Sequence, residues 1–144
     1  MTMHVETILQ AKGSLVYTLP ETASLADAVS LLNTHNIGAL VVTSAGDEVA
    51  GILSERDIVR QLGKEAAISM VQPVSAIMTR SAVTCRRDTE IAEIMDLMTE
   101  HRVRHIPVMD GRQLVGIISI GDVVKAKIEE IEQDAEALRE YIAS

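Results

Sequence analysis

The chain has 144 residues with 13 basic and 21 acidic side chains, a formal net charge of −8, one Cys and neither Phe nor Trp. The acidic balance and the lack of aromatic stacking platforms argue against nucleic-acid binding, and no apolar stretch approaches the roughly 20 residues that cross a bilayer. A single Cys85 cannot form an internal disulfide, and no secretory pattern opens the sequence. We therefore expect a cytoplasmic protein with an aliphatic core that binds neither nucleic acid nor membranes.

The first half of the chain is predicted to form a strand, a helix, two further strands and a second helix. The first helix is indicated by apolar residues at i, i+3, i+4 and i+7 from Leu25, and turn residues 44–47 separate the two apolar runs that follow it. In chain order the predicted elements are a lead-in at 5–9, a strand at 14–19, a helix beginning at Thr22 or Ser24, strands at 37–42 and 49–53, and a helix from Ser54 to a stop at Gly63.

The second half repeats this series, with Ile91 in the place of Leu25, 66 residues later. Its predicted elements are a lead-in at 74–78, a strand at 82–85, a helix beginning at Thr89, strands at 103–109 and 114–118, and a helix from Ser119. The fold class is therefore α/β, with two pseudo-symmetric β-α-β-β-α units packed as one module and an extended C-terminal helix. The predicted boundaries are residues 1–63 for the first unit with its lead-in, 64–127 for the linker and second unit, and 128–144 for the helix extension.

A nine-residue phrase occurs in both halves and repeats polar as well as apolar residues. Residues 51–59 read GILSERDIV and residues 116–124 read GIISIGDVV. A Ser and an Asp three residues apart at a helix start form a capping box, which explains both pairs without any ligand. A helix N-terminus is also an anion site, and a nearby carboxylate can accept hydrogen bonds from ribose hydroxyls. Both interpretations can hold together.

Arg56 favours a ligand in the first half. It lies in the first turn of a helix, where a cation is unfavourable against the dipole unless an anion is bound. The alternative is that Arg56 simply points to solvent beside Glu55. The second half has Gly121 at the equivalent position, so it lacks this cation.

The last helix contains an apolar seam spaced 4-3-4-3-4, which is typical of helix–helix packing. The seam residues are Val124, Ile128, Ile131, Ala135, Leu138 and Ile142. Two alternatives stay open: the seam packs on the chain's own amino-terminal segment (Val5, Ile8, Leu9), or it forms a dimer contact.

With its two Gly-Ile-x-Ser-x-x-Asp motifs, the Ile-Met-Thr run at 77–79 and the His-Ile-Pro-Val run at 105–108, the chain resembles the cystathionine β-synthase (CBS) domain family over about residues 5–127. The resemblance implies a stand-alone CBS pair, or Bateman module, that binds an adenosine ligand, AMP above all, with ADP, ATP or NAD(H) as further possibilities. It also implies a homodimer that regulates an unidentified protein partner. The alternative is a structural or adaptor module with vacant nucleotide clefts.

The family pattern also implies which residues line the two clefts. The primary cleft comprises Ser54, Arg56, Asp57, Ala39, Thr79, Val83, Val103 and Arg104. The second comprises Ser119, Gly121, Asp122, His105, Tyr17, Ile37, Gly38 and Lys12. Some nucleotide-binding relatives carry a basic residue at the His105 position, which could partly replace the missing arginine. Tyr17 could equally fill the core.

Catalysis and metal binding are not predicted. The four histidines show no metal-ligand spacing with Cys85 or with paired carboxylates. No catalytic triad or phosphate-gripping glycine loop is present in the sequence. We expect no required cofactor and no enzymatic activity.

Overall fold

The computed structural model describes residues 2–65, 67–80 and 83–143, which divide into two compact units. The first unit comprises residues 16–82, and the second comprises residues 1–15 together with 83–144. In chain order the elements are α1 (Val5–Lys12), β1 (Thr18–Pro20), α2 (Leu25–His35), β2 (Ala39–Thr43), β3 (Val49–Ser54), α3 (Glu55–Lys64), a 3-10 turn (Val74–Ala76), α4 (Ile91–His101), β4 (His105–Asp110), β5 (Gln113–Ser119) and α5 (Ile120–Ala143). The predicted α/β class with a long C-terminal helix is confirmed.

The first unit is built on a three-stranded sheet in the order β1-β2-β3. β1 is parallel to β2, and β2 is antiparallel to β3. The apolar face of α2 buries Leu25 completely, in one cluster with Leu40 and Leu53 of the sheet. Ser24 is the N-cap of α2, and its Oγ accepts a hydrogen bond from the Asp27 N–H at 3.1 Å, so the start signal predicted at this serine is confirmed.

The second unit contains the β4-β5 antiparallel pair, α4, α5 and the amino-terminal helix α1. Its core is aliphatic, as the composition predicts. The fully buried residues include Val5, Ile91, Ile94, Ile106 and Ile118. Cys85 is joined to Val108 by a single parallel bridge.

Four local predictions differ from the structure. Thr89 does not cap α4: its Oγ1 accepts from the Arg86 N–H at 3.0 Å, and Glu90 is the N-cap residue without a side-chain bond. Gly63 does not end α3, which continues to Lys64 and stops at the extended residue Glu65. The strand predicted at 14–19 is confined to Thr18–Pro20. Of the strand predicted at 82–85, Ala82 lies outside the described residues, and Cys85 makes only its single bridge.

Each lead-in packs on the glycine of the other repeat's motif. In the first unit, Gly51 lies against the Thr79 carbonyl and the Met78 sulfur, because Ile52 and Thr79 exchange two backbone hydrogen bonds of 2.9 Å. In the second unit, Gly116 lies against the side chain of Leu9. The compact units therefore cross the domain boundaries that the repeat predicts. The predicted boundaries describe the sequence repeats and stay a prediction. The compact units differ from them because each lead-in packs on the motif of the other repeat.

Helix α5 packs on its own unit only along one face near its beginning. Val123 and Ala126 are buried there, and Glu130 accepts a hydrogen bond from the Met3 N–H at 3.1 Å. The predicted seam lies on another face, where Ala135 is half-buried and the five large apolar residues are exposed, from Val124 (49 %) to Ile142 (74 %). Packing of this seam on the chain's own amino-terminal segment is therefore wrong. In the part of the chain that the structure describes, no helix is both long and apolar enough to cross a membrane.

Candidate functional site

In the first unit the Ser-x-x-Asp motif forms a complete capping box at the start of α3. The Asp57 N–H donates to Ser54 Oγ at 3.3 Å, and the Ser54 N–H and Oγ–H both donate to Asp57 Oδ2, at 2.8 and 3.0 Å. Asp57 is one of two buried polar residues among those described, only 8 % exposed. The structural interpretation of the motif is thus confirmed, and it leaves the carboxylate fixed in one orientation.

Thr79 completes the hydrogen bonding of this carboxylate from a distant part of the sequence. Its Oγ1–H donates to Asp57 Oδ1 at 2.8 Å. The backbone of Thr79 is held by the paired hydrogen bonds with Ile52, so the hydroxyl is delivered by a fixed segment rather than a loose loop. A carboxylate has about four acceptor positions, and the three donors from Ser54 and Thr79 leave room for one more.

The first turn of α3 offers one remaining N–H beside a cation. The Glu55 N–H donates to the Gly38 carbonyl at 3.0 Å, and the Asp57 N–H is used by the cap. As the second residue of α3, Arg56 has an N–H without an acceptor inside the helix. The Arg56 side chain is exposed, and no described residue forms an ion pair with it. An anion at this turn would meet the Arg56 N–H, its guanidinium and the positive end of the helix dipole.

The second unit repeats the cap with a charged partner in place of Thr79. The Ser119 N–H donates to Asp122 Oδ2 at 2.9 Å, and the Asp122 N–H donates to Ser119 Oγ at 3.2 Å. Lys12, at the end of α1, donates from Nζ to Asp122 Oδ2 at 2.7 Å and to the Ile117 carbonyl at 2.9 Å. The structure therefore brings together Ser119, Asp122 and Lys12 of the predicted second cleft.

The pKa of Asp122 is set by opposing effects. Partial burial raises the pKa, but hydrogen bonds from Lys12 and Ser119 and the positive charge of Lys12 outweigh it, so the pKa lies below its ordinary value of 3.8. Asp122 is therefore ionised at neutral pH and engaged by a cation that the first unit lacks at its aspartate.

The remaining predicted residues are divided between the two units. Ala39 lies at the start of β2 in the first unit, half-buried, with Ile37 and Gly38 just before it. Val83, Val103 and Arg104 belong to the second unit, as do Gly121 and His105. The structure thus groups Ser54, Arg56, Asp57 and Ala39 with Thr79 in one unit, whereas the assignment of Val83, Val103 and Arg104 to the same cleft stays a prediction. The same holds for Tyr17, Ile37 and Gly38 with the motif of the second unit.

Tyr17 has a partner that the sequence did not indicate. Its ring stacks on His35 with centroids 3.8 Å apart and planes inclined by 18°. Tyr17 is half-buried against the core of the first unit, so the core interpretation of this residue is supported. Because Tyr17 and His35 lie 18 residues apart on different elements, only a contact between the chain before β1 and the end of α2 reveals the pair.

Metal and thiol chemistry find no support in the described residues. In the ranges 2–65, 67–80 and 83–143, no group of three His, Cys, Asp or Glu side chains could hold a metal ion. Burial, assisted by the charge of Glu93, raises the pKa of the Cys85 thiol to about 12. This cysteine is therefore a neutral core residue at physiological pH.

Comparison with known proteins agrees with this architecture. The family model of the CBS domain matches the chain twice, at residues 15–64 and 74–129. The chain belongs to the CBS domain family. It is 39 % identical over 120 residues to the CBS domain-containing protein CBSX3, mitochondrial, of Arabidopsis thaliana, a match that covers 81 % of this chain and 58 % of the plant protein. The chain therefore spans less than two thirds of that relative's length.

Solved structures of CBS proteins superimpose on most of the chain. The CBS-domain protein ATU1752 from Agrobacterium tumefaciens is 43 % identical with a TM-score of 0.81, covering 88 % of this chain and 93 % of its own. The CBS domain protein PAE2072 from Pyrobaculum aerophilum, solved in complex with AMP, is 25 % identical with a TM-score of 0.73, covering 83 % and 89 %. The neighbours of this chain thus include stand-alone CBS pairs, one of which holds an adenine nucleotide.

Proposed function

We propose that this CBS pair is a regulatory module that binds an adenine nucleotide, AMP in preference, at the Ser54–Asp57 motif of the first unit. The observation that carries the proposal is the buried Asp57 carboxylate, held by Ser54 and Thr79 beside the exposed cation of Arg56. A purely structural cap needs the serine and the aspartate but gives no reason for a cation in the first turn. The AMP bound by PAE2072 supports the ligand class.

Each part of the nucleotide would meet a different group. The free acceptor position of Asp57 suits a ribose hydroxyl, and the Arg56 N–H and guanidinium suit the α-phosphate. The adenine base would be held by aliphatic side chains and backbone edges near Ala39, since the first unit has no Phe or Trp and the ring of its one tyrosine, Tyr17, is stacked on His35. The finer preference for AMP over ADP, ATP or NAD(H) rests on this single arginine.

The motif of the second unit should bind the same ligand more weakly. The ammonium group of Lys12 already pairs with the Asp122 carboxylate and partly neutralises its charge, which makes Asp122 a weaker acceptor for a ribose hydroxyl than Asp57. Gly121 supplies no cation at the position of Arg56. Lys12 and His105 are the basic side chains predicted for the second cleft, and Lys12 already donates to the Asp122 carboxylate and the Ile117 carbonyl.

We propose further that the module works as a homodimer and that ligand occupancy shifts the arrangement of its motifs or of the dimer. An unidentified protein partner would respond to that change, and no catalysis by this chain is involved. A nucleotide can shift such an equilibrium only by its differential affinity for the two states. The exposed seam of α5 also favours a second candidate, an adaptor that acts through its surfaces with vacant nucleotide clefts.

Isothermal titration of nucleotide-free protein with AMP, ADP, ATP, NADH and S-adenosylmethionine tests the proposal. We expect the Asp57→Ala variant to lose AMP binding by more than roughly tenfold, because it removes a charge-assisted hydrogen bond. Asp122→Ala is the matched control, since it removes an equivalent helix cap and should leave the main AMP site intact. A thermal melt of both variants separates loss of binding from loss of folding.

A reciprocal exchange tests the role of the cation without touching either cap. Arg56→Gly should weaken AMP binding roughly tenfold, whereas Gly121→Arg should strengthen binding at the second motif. An added Cβ at Gly121 meets nothing closer than Ser119 Oγ at 3.7 Å, so the side chain fits. Heat from none of the ligands would contradict the sensor and favour the adaptor. Binding lost only in Asp122→Ala would keep the function but move the main site to the second unit.

A further inference from the structure

The exposed seam of α5 has a charge pattern that distinguishes between possible helix partners. Taking Ile128, Ala135 and Ile142 as heptad position a, the residues Val124, Ile131 and Leu138 occupy position d. The five large members of this set are 49–74 % exposed, although the helix itself is continuous from Ile120 to Ala143. A continuous helix whose large a and d residues are exposed over more than two heptads has the pattern of one strand of a coiled coil.

The face that packs on the chain's own unit is a different one. Val123 and Ala126 are buried, and Glu130 bonds to the Met3 N–H. These three residues occupy positions c and f, which lie on the outside of a coiled coil. The second unit therefore holds α5 by the face made of positions c and f, and the a/d seam faces away from the core of that unit. Beside the start of the seam, Val124, Lys125 and Ile128 line an open groove.

The flanking charges favour one orientation of a second copy. Positions e are Lys125, Glu132 and Arg139, and positions g are Lys127, Asp134 and Tyr141. In a parallel, in-register pair, each g residue meets the e residue five positions later on the other helix. Lys127 then faces Glu132 of the second copy, and Asp134 faces Arg139 of the second copy. Both contacts are attractive, and two-fold symmetry makes each of them twice.

The fully overlapped antiparallel pair brings together like charges instead. It pairs e with e and g with g, which places Glu132 against Glu132, Asp134 against Asp134, and Lys125 against Arg139 of the other copy. Staggering the antiparallel helices by one heptad relieves the repulsion but removes two of the six apolar layers. The parallel arrangement alone satisfies all six layers and the charges together.

We propose that α5 pairs with α5 of a second copy as a parallel, in-register coiled coil over residues 124–142. This inference deepens the homodimer proposed above and does not depend on nucleotide binding. The contacts of Arg139 and Lys127 within their own helix do not oppose it: Arg139 lies 3.6 Å from Glu136 with both side chains well exposed, and can exchange that pair for Asp134 of the second copy. Lys127 bonds to Glu130 at 3.0 Å and has further donors for Glu132 of the second copy.

A single-cysteine cross-link tests the register. Position 138 meets itself only in the parallel in-register pair, so Leu138→Cys should give a disulfide-linked dimer on mild oxidation. Glu136→Cys is the matched control, because it lies on the outer face of the same turn and should stay monomeric on a non-reducing gel. Cys85 is buried and does not interfere. Equal cross-linking of both variants, or none for Leu138→Cys, would overturn the coiled coil.

A charge exchange tests the orientation by sedimentation equilibrium. Asp134→Lys and Arg139→Glu should each raise the dimer dissociation constant roughly three- to tenfold, and the double variant should restore it, because the swapped charges again attract in the parallel pair. The antiparallel pair shifted by one heptad toward the C-terminus gives a different result. There the double variant places the new Glu side chain at position 139 against Glu132 of the other copy, and the dimer stays weak. A protein that sediments as a dimer but fails both tests would refute this inference and leave the homodimer standing. A monomer would refute both.

Discussion

Gly51 in β3 is the position where one added methyl group should have the largest effect on the first unit. A Cβ at this residue would lie 2.5 Å from the Thr79 carbonyl oxygen and 3.1 Å from the Met78 sulfur. The carbonyl is part of a backbone segment tied to Ile52 by two hydrogen bonds of 2.9 Å. It can move away only by stretching both bonds, and the same movement pulls the Thr79 hydroxyl from Asp57.

The expected cost of Gly51→Ala follows from these contacts. Overpacking against a fixed backbone costs about 1–3 kcal/mol, and weakening the two backbone hydrogen bonds adds about 0.5–1.5 kcal/mol each. Removing a strand glycine returns only about 0.5–1 kcal/mol. The free energy of unfolding should therefore fall by about 3 kcal/mol, within a range of about 1–5 kcal/mol, which lowers Tm by roughly 5–15 °C for a chain of this size.

Two other glycines provide matched controls in urea unfolding followed by circular dichroism. Gly116 holds the equivalent position in the second repeat, but the atom nearest its added Cβ is Leu9 Cδ2, at 2.7 Å. A side chain can turn aside, so Gly116→Ala should cost less, at most about 1.5 kcal/mol. Gly63 lies inside α3 with nothing within 4 Å, so Gly63→Ala should stabilise by about 0.5–1 kcal/mol. If Gly51→Ala is no more damaging than Gly116→Ala, the reasoning from a fixed carbonyl is refuted.

Two further predictions follow from the titrating groups. Lys12→Met should raise the pKa of Asp122, measured by NMR titration of the side-chain carboxyl. Because the folded-state pKa of Asp122 is depressed, the stability it contributes is present above about pH 3.8 and is lost as pH falls through the folded value. The stability difference between wild type and Lys12→Met should therefore be largest near neutral pH and shrink in acid to the part that the Lys12 bond to the Ile117 carbonyl contributes; a difference that does not change with pH would contradict the ion pair. Cys85, with its pKa raised to about 12, should resist Ellman's reagent at pH 8 in the native protein and react fully in urea. Rapid labelling without denaturant would show that the thiol is not buried.

Much of the fold could be predicted because its signals are local. The apolar faces of α2 and α4 recur within one helix, and the turns at 44–47 and 110–111 separate strands that pair with each other. The caps of Ser54 and Ser119 involve residues only three positions apart, so the motif itself determines them. The predictions that Thr89 caps α4 and that Gly63 ends α3 were wrong because these residue types also suit other positions. Thr89 instead accepts a hydrogen bond from the Arg86 N–H, and Gly63 lies inside α3.

The candidate site was only partly predictable, because its decisive contacts are long-range. Thr79 reaches Asp57 over 22 residues, and Lys12 reaches Asp122 over 110. The sequence pattern marked all four residues, but it could not tell that one aspartate would receive a neutral hydroxyl and the other an ammonium group. That difference determines which motif is already occupied by a cation, and hence which should bind a nucleotide more tightly.

The sequence by itself determined that the chain is a repeat, the order of its elements and the two capped motifs, since each of these depends on residues within a few positions of one another. It did not determine which motif each lead-in packs against, because Gly51 and Gly116 offer the same small surface to either segment. Only the tertiary structure decided that Leu9 packs on Gly116 and Met78 on Gly51. It also decided that α5 buries Val123 and Ala126 and leaves its seam exposed, because the core of the second unit has room for one face of that helix.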